Sequence, residues 1–446
     1  MINGCDNKGY VPVDSDNPSI EKNTDLCSGC GHCLSVCAEE IGPALRWLQG
    51  ETFSCINCGQ CAAACPEQAI QVKSQLRYVK EAVEDPNKIV VISTAPSVRV
   101  ELGDAFELAP GAFVEGQMVS ALRRLGADYV YDVTFSADLT IMEEGTEFLR
   151  RILSKEGAVP QFTSCCPAWV KYAETFHPEL LPHLSTAKSP ISMQGATIKT
   201  YLAKKKGLNP EQIVSVAIAP CTAKKFEITR PEFDSAGREL NRPGLRDNDY
   251  VLTTKELAQW IREEGLDLKQ LEPSEFDSWM GRGSGAGMIF GNTGGVMEAA
   301  LRMAYSVLTG KDPSDLLLSY EPVRGLQEFK TAEVEVAGKK IKAAVIYGTQ
   351  AAERHLCEVL STCHFVEVMT CPGGCISGAG QPERGVTPPQ DSLREARIQS
   401  LYQADRESRY KCSIDNPDIQ AVYREFYEEP MGERAERLLH TSYYKR

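Results

Sequence analysis

What this sequence lacks narrows it first. No apolar run approaches the about 18 residues that a membrane-spanning helix needs. The opening, MINGCDNKGYVPVD, has neither a basic nor an apolar signal region, and no twin-arginine signal precedes an apolar stretch. A soluble, cytoplasmic protein is therefore expected. Positive charge is scarce: 48 Lys and Arg against 61 Asp and Glu leave a net charge of −13. That balance disfavours nucleic acid and anionic membranes as partners. The six histidines form no H-E-x-x-H pattern, so they are read as structural. The glycine-rich run GRGSGAG at 281–287 is not followed by Gly-Lys-Ser/Thr and lacks a βαβ setting, so it is no phosphate loop.

What is present is cysteine, seventeen in 446 residues. A disulfide framework and metal ligation in a reducing compartment compete as explanations, and position decides between them. Cys27, Cys30, Cys33 and Cys37, then Cys55, Cys58, Cys61 and Cys65, form two identical C-x2-C-x2-C-x3-C runs. Disulfide domains do not repeat that spacing, and a chain this long needs no staples. The pattern is that of bacterial two-cluster ferredoxins, in which the fourth cysteine of each run ligates the other cluster. The expected sets are therefore crossed: Cys27, Cys30, Cys33 and Cys65 for one 4Fe-4S cubane, and Cys37, Cys55, Cys58 and Cys61 for the second. Zinc ribbons pair two C-x2-C knuckles without a third thiolate at +3, so zinc is the weaker reading. Pro66 follows Cys65 as usual in such runs, whereas Ala38 follows Cys37.

Length allows two or three domains, since single cores stop growing at about 250 to 300 residues. Residues 1–22 read as a lead that is poorly ordered or lies over the next module. Residues 23–80 read as an α+β ferredoxin-like module, and 81–446 as an α/β catalytic domain of two lobes, with mainly parallel sheets flanked by helices. The runs KIVVIS (88–93), DYVYDV (128–133), IVSVAIA (213–219), AAVIYG (343–348) and HFVEVM (364–369) predict buried strands. The stretch from about 390 to 446, rich in Arg, Glu and Tyr, reads as helices wrapping the surface.

Three further segments place cysteine where a strand ends: TSCCPAW (163–169), APCTAKKFE (219–227) and EVMTCPGGCISGAGQP (367–382). Ligands of open α/β sheets bind beyond the carboxyl ends of strands, so these ends can converge on one pocket. Four of their thiols would suffice for another cubane.

With these segments, in this order, the sequence resembles the FeFe-hydrogenase family over nearly its whole length. The resemblance implies that Cys166, Cys221, Cys371 and Cys375 hold the 4Fe-4S part of an H-cluster. It implies too that Cys375 bridges to a diiron unit carrying carbonyl, cyanide and azadithiolate ligands. Lys224 resembles the lysine that pairs with a cyanide; of Lys224 and Lys225, only one is expected to point inward. Pro96, Ser97, Phe290 and Met369 resemble pocket-wall residues. The glycine run at 281–287 is expected to bring backbone close to the cluster. Adjacent cysteines rarely serve one cubane, so Cys165 is expected to be a free thiol that passes protons. The family's route continues through an acid, a serine, an acid and an arginine, here Glu144, Ser185, Glu147 and Arg151. Glu144, Glu147 and Arg151 stand at i, i+3 and i+7, on one helical face. Many family members have Gly, Met and Gln where this chain has Ala168, Ala219 and Ile191, a departure that resembles a subgroup called group B.

The function this implies is reversible interconversion of protons, electrons and dihydrogen, with electrons from a ferredoxin or similar soluble carrier. Hydrogenase maturation proteins are the implied suppliers of the diiron unit. The rival is a hydrogenase-like iron–sulfur assembly or scaffold protein that lacks the diiron unit. Cys5, Cys357, Cys363 and Cys412 are left as spare thiols.

Overall fold

The computed structural model describes residues 9–336, 338–382 and 390–446; Cys5 lies outside them. Strand β1 (Ile20–Lys22) pairs antiparallel with β2 (Ile70–Val72). Around this pair Val11, Ile20, Ala44 and Ile70 build a small core together with Cys33 and Cys61. The segment before the first cysteine run thus lies over the module, with Val11 and Ser19 buried. So small a core needs an additional staple, which clusters bound to the cysteines provide.

The first lobe is a four-stranded sheet of β3 (Ile89–Thr94), β4 (Tyr129–Asp132), β6 (Ile213–Ala219) and β7 (Tyr250–Thr253), in the order β4-β3-β6-β7 and all parallel. Strand β6 is buried at every residue, as its β-branched and alanine run, broken only by Ser215, requires of a sheet covered on both faces. The second lobe joins β5 (Gln161–Phe162), β8 (Phe329–Val336), β9 (Lys339–Tyr347) and β10 (Phe365–Met369) in the order β5-β10-β9-β8. Here β8 runs antiparallel to β9. As an edge strand in which Lys330, Glu333 and Glu335 alternate with apolar residues, β8 resists pairing with a further strand.

Helix α1 (Val133–Ser154) starts at the end of β4, where the Asp132 side chain caps it by accepting from the Thr134 amide at 2.9 Å. It is buried along most of its length. Helix α2 (Pro167–Phe176) begins directly after Cys166, with Pro167 at its first position. Helix α3 (Gly295–Thr309) points its first amides at Glu367 of β10: Gly294 and Met297 donate at 2.6 and 2.8 Å. Helix α4 (Asp391–Glu407) is more than a surface wrap. Its fully buried Arg397 donates to Asp104 at 2.7 Å and to the Ile376 carbonyl at 2.6 Å. Farther on, Tyr427, Ala435, Leu438 and Leu439 enter the main core.

The glycine-rich run does not bring its backbone to a cluster. A side chain at Gly283 or Gly287 would collide with Thr134, and one at Gly285 with Asp405. Ser284 is bonded to Asp138 of α1. Gly291 is the glycine that lines the central cavity.

Candidate metal and proton-transfer site

The eight cysteines of the module face two voids. Cys27, Cys30, Cys33 and Cys65 line the outer one; Cys37, Cys55, Cys58 and Cys61 line the inner. Tight backbone makes this possible: Gly31 and Gly59 stand at φ 83° and 72°, a region open to glycine. Cys30 is exposed while Cys58 and Cys61 are buried, so the module runs from a solvent-facing end inward. Among the described residues no three His, Cys, Asp or Glu side chains are close enough to share one metal ion. Quartets spread around a void suit a cubane and not a lone zinc.

The inner void abuts a third quartet. Burial pushes the Cys58 thiol up, and among its neighbours are both Cys37 of its own set and Cys221 of the next. Cys166, Cys221, Cys371 and Cys375 come from the loops after β5, β6 and β10, the carboxyl ends of strands in both sheets. Burial raises Cys371 well above the usual thiol value, with Cys221, Cys166 and Cys375 adding to the effect, and it pushes Cys221 up to about 12. Thiols so disfavoured as anions ionise when a cationic iron–sulfur group takes the place of their protons. Gln60, in the chain beside Cys61, donates to the Cys371 sulfur at 3.3 Å and to the Ser377 carbonyl at 3.2 Å. Asn57 accepts from Lys171 at 2.6 Å through its side chain and from Thr222 at 2.8 Å through its carbonyl. Nothing in the sequence singled out Gln60 or Asn57; each bond spans more than a hundred residues.

Beyond this quartet lies an apolar cavity lined by Cys165, Lys224, Pro96, Ser97, Phe290 and Met369, with Cys221 and Cys375 on its wall. Ala219 and Ile191 line it too, whereas Ala168 packs in the core of the second lobe. Lys224 donates to the Cys165 carbonyl and to Glu227, both at 3.0 Å. Both neighbouring lysines are buried, and of the two only Lys224 lines the cavity. Lys225 turns the other way, donating to the Val251 carbonyl at 2.8 Å and pairing with Glu256.

The five residues expected to pass protons are all buried. Ser185 donates to Glu147 Oε2 at 2.7 Å, and Arg151 donates to Glu147 Oε1 at 2.6 Å. Neither oxygen of Glu144 has a protein hydrogen-bond partner. Burial, followed by the Glu147 charge, pushes this carboxyl up to about 8; the nearby Ser185 hydroxyl and Ser164 amide only partly offset that. The Cys165 thiol is raised by burial first and by Glu144 next. At the outer end, Glu147 and Arg151 border an open surface cavity of about 1110 Å³. Among the described residues no helix is long and apolar enough to cross a membrane.

Two mainly parallel lobes that share one thiol quartet between them, beside a ferredoxin-like module that holds two more, define an iron–sulfur oxidoreductase. Comparison with known proteins agrees. The family described as iron only hydrogenase large subunit, C-terminal domain, matches residues 88–379; the iron hydrogenase small subunit family matches 391–446, and the 4Fe-4S dicluster domain 19–66. The NADP-reducing hydrogenase subunit HndD of Solidesulfovibrio fructosivorans is 41% identical over 99% of this chain and 70% of that protein. Iron hydrogenase 1 of Clostridium pasteurianum is 39% identical over 97% and 77%. The cytosolic iron-sulfur assembly component 3 of Bos taurus is 34% identical over 82% and 76%. A solved structure of the FeFe-hydrogenase HydA1 from Chlamydomonas reinhardtii, a glutamate-to-glutamine variant, superposes with a TM-score of 0.72 at 37% identity, covering 84% of this chain and 99% of the other. The chain belongs to the iron-only, or FeFe, hydrogenase family. Its cofactors are accordingly two accessory 4Fe-4S clusters and the H-cluster.

Proposed function

We propose that the protein is a working hydrogenase, interconverting two protons and two electrons with dihydrogen and exchanging electrons with a soluble ferredoxin-like carrier in the cytoplasm. The observation that carries this reading is the buried line Cys165, Glu144, Ser185, Glu147 and Arg151 between the apolar cavity and the surface. An assembly scaffold has no use for a route that delivers protons to a closed cavity. When bound, the H-cluster supplies the redox chemistry at which electrons and protons become dihydrogen.

In this reading Cys27, Cys30, Cys33 and Cys65 hold the outer cubane, and Cys37, Cys55, Cys58 and Cys61 the inner. Cys166, Cys221, Cys371 and Cys375 would hold the cubane of the H-cluster, with Cys375 facing the apolar cavity in which the diiron unit would sit. Lys224 presents a cation to the cavity, where it would pair with an anionic ligand of the bound group. Pro96, Ser97, Phe290 and Met369 exclude water from it. Cys165 gives a proton to the cavity and regains one from Glu144, whose raised pKa keeps it protonated near neutrality. Ser185 links the two carboxyls, and Arg151 holds Glu147 at the vestibule. Maturation proteins deliver the diiron unit.

The test is to prepare the protein anaerobically, supply the diiron cofactor, and record carbonyl and cyanide infrared bands beside hydrogen evolution from reduced viologen. Bands with gas support the hydrogenase. Neither bands nor gas from protein with intact cubanes would establish the assembly reading, which the likeness to cytosolic iron-sulfur assembly component 3 keeps in play.

A further inference from the structure

The small-subunit-like segment ends beside the proton route. Residues 439–441 run antiparallel to 186–188: Lys188 N–H donates to the Leu439 carbonyl and Thr441 N–H to the Thr186 carbonyl, both at 2.8 Å, with Ala187 bridged to His440. Between these two backbone bonds the His440 side chain, 7% exposed, turns inward. Its Nε2 lies 2.9 Å from Glu143 Oε2, and its Nδ1 lies 2.8 Å from Thr186 Oγ1. Glu143, fully buried, also accepts from the Met431 amide at 2.7 Å and from the Tyr423 hydroxyl. With Nε2–H donating to the carboxylate, Nδ1 of a neutral ring accepts from the Thr186 hydroxyl.

Both partners of His440 are chain neighbours of the route. Glu143 precedes Glu144 on α1, and Thr186 follows Ser185. The Thr186 amide itself donates to both Glu147 oxygens, at 3.0 and 3.3 Å. One imidazole thus ties the helix that carries both acids to the strand-like segment that carries the serine between them. We propose that His440 is a positioning residue for proton transfer, a clip from the small-subunit-like segment that sets the Glu144–Ser185–Glu147 spacing. The proposal rests on the reading of those residues as the proton route. A proton hop tolerates little stretching, because donor and acceptor must come within hydrogen-bond reach. A misplacement of order 1 Å can cost up to about a hundredfold in rate.

The experiment compares H440F, H440Q and T186V with the parent and with E144Q, all loaded with the diiron cofactor. It reads hydrogen evolution in H2O and D2O, together with the infrared carbonyl stretch of the buried protonated carboxyl in protein holding cubanes alone. H440F and T186V are expected to evolve hydrogen roughly tenfold more slowly. Both should show a larger solvent isotope effect and a shifted carboxyl band with iron content unchanged. H440Q, which can donate to Glu143 and accept from Thr186, should recover much of the rate. Wild-type turnover and an unmoved band in H440F would overturn the clip. So would a loss in H440F that comes only with lost iron while T186V behaves as the parent. Full turnover in E144Q would instead overturn the route itself, and E144Q dead beside an unaffected H440F would remove His440 alone.

Discussion

Glu144→Gln tests the chemistry and the electrostatics of the site in one substitution. The folded carboxyl is pushed from 4.5 to about 8, chiefly by burial. Its folded pKa lies above its unfolded one, so the folded protein holds an extra proton between pH 4.5 and pH 8. Stability is then full below the unfolded pKa and falls as pH rises through the window, by up to about 1.4 kcal/mol per unit. From pH 6 to pH 8, where the folded group is itself half ionised at the upper end, the loss is about 2.3 kcal/mol. Glutamine has the same shape and does not titrate, so the variant should gain stability over the parent by that amount across the same two units. For a chain of this length that is a difference in Tm widening by roughly 2 to 3 °C. The assay is thermal unfolding of both proteins with cubanes alone, anaerobically, in matched buffers from pH 6 to pH 8. In parallel, hydrogen evolution by the loaded variant should fall by about 10²–10⁴, the usual weight of a proton-transfer group. A Tm difference flat with pH would mean Glu144 is already ionised, and the reasoning from its burial would fail.

Cys165→Ala should leave iron content unchanged and lower hydrogen evolution by about a hundredfold or more; parental turnover would take this thiol out of the mechanism. Gln60→Leu removes the hydrogen bond to Cys371, and a bond worth about 1 kcal/mol corresponds to about 40 mV for one electron. A redox titration should find the cubane of the catalytic quartet shifted negative by that order, with the outer cubane unmoved. Asp104→Ala strands the fully buried Arg397 guanidinium and should cost about 3–5 kcal/mol, read as a lowered Tm; an unchanged Tm would show that water has replaced the carboxylate.

Strands β3, β6, β9 and β10 were legible through largely buried apolar stretches rich in Val, Ile and Ala, and β4 through a buried Tyr-Val-Tyr run. The two-residue β5 and the charged edge strand β8 carry no such signal; they are defined by the neighbours they pair with. The thiol quartets were legible through repeated spacing in the module and through the resemblance elsewhere. Their convergence was not, since Cys58 and Cys221 meet across 162 intervening positions of chain order. Helical spacing put Glu144, Glu147 and Arg151 on one face, yet it could not say that the face is buried. Glu143 on the same helix was passed over because His440, Tyr423 and Met431, which bury and satisfy it, come from nearly 300 residues away.

The Gln60 side chain is bonded to the third thiol quartet while the backbone beside it carries Cys61 of the second. The gap that an electron must cross between those quartets is therefore set by packed contacts, the Gln60 amide and the bonds of Asn57 among them, and linker length has no part in it. A module on a tether would deliver electrons at the rate its diffusion allows, slowing as solvent viscosity rises. Here the two quartets behave as a soldered joint, and on the proposed function the viscous step is displaced outward, to the encounter of a carrier with the exposed Cys30 end.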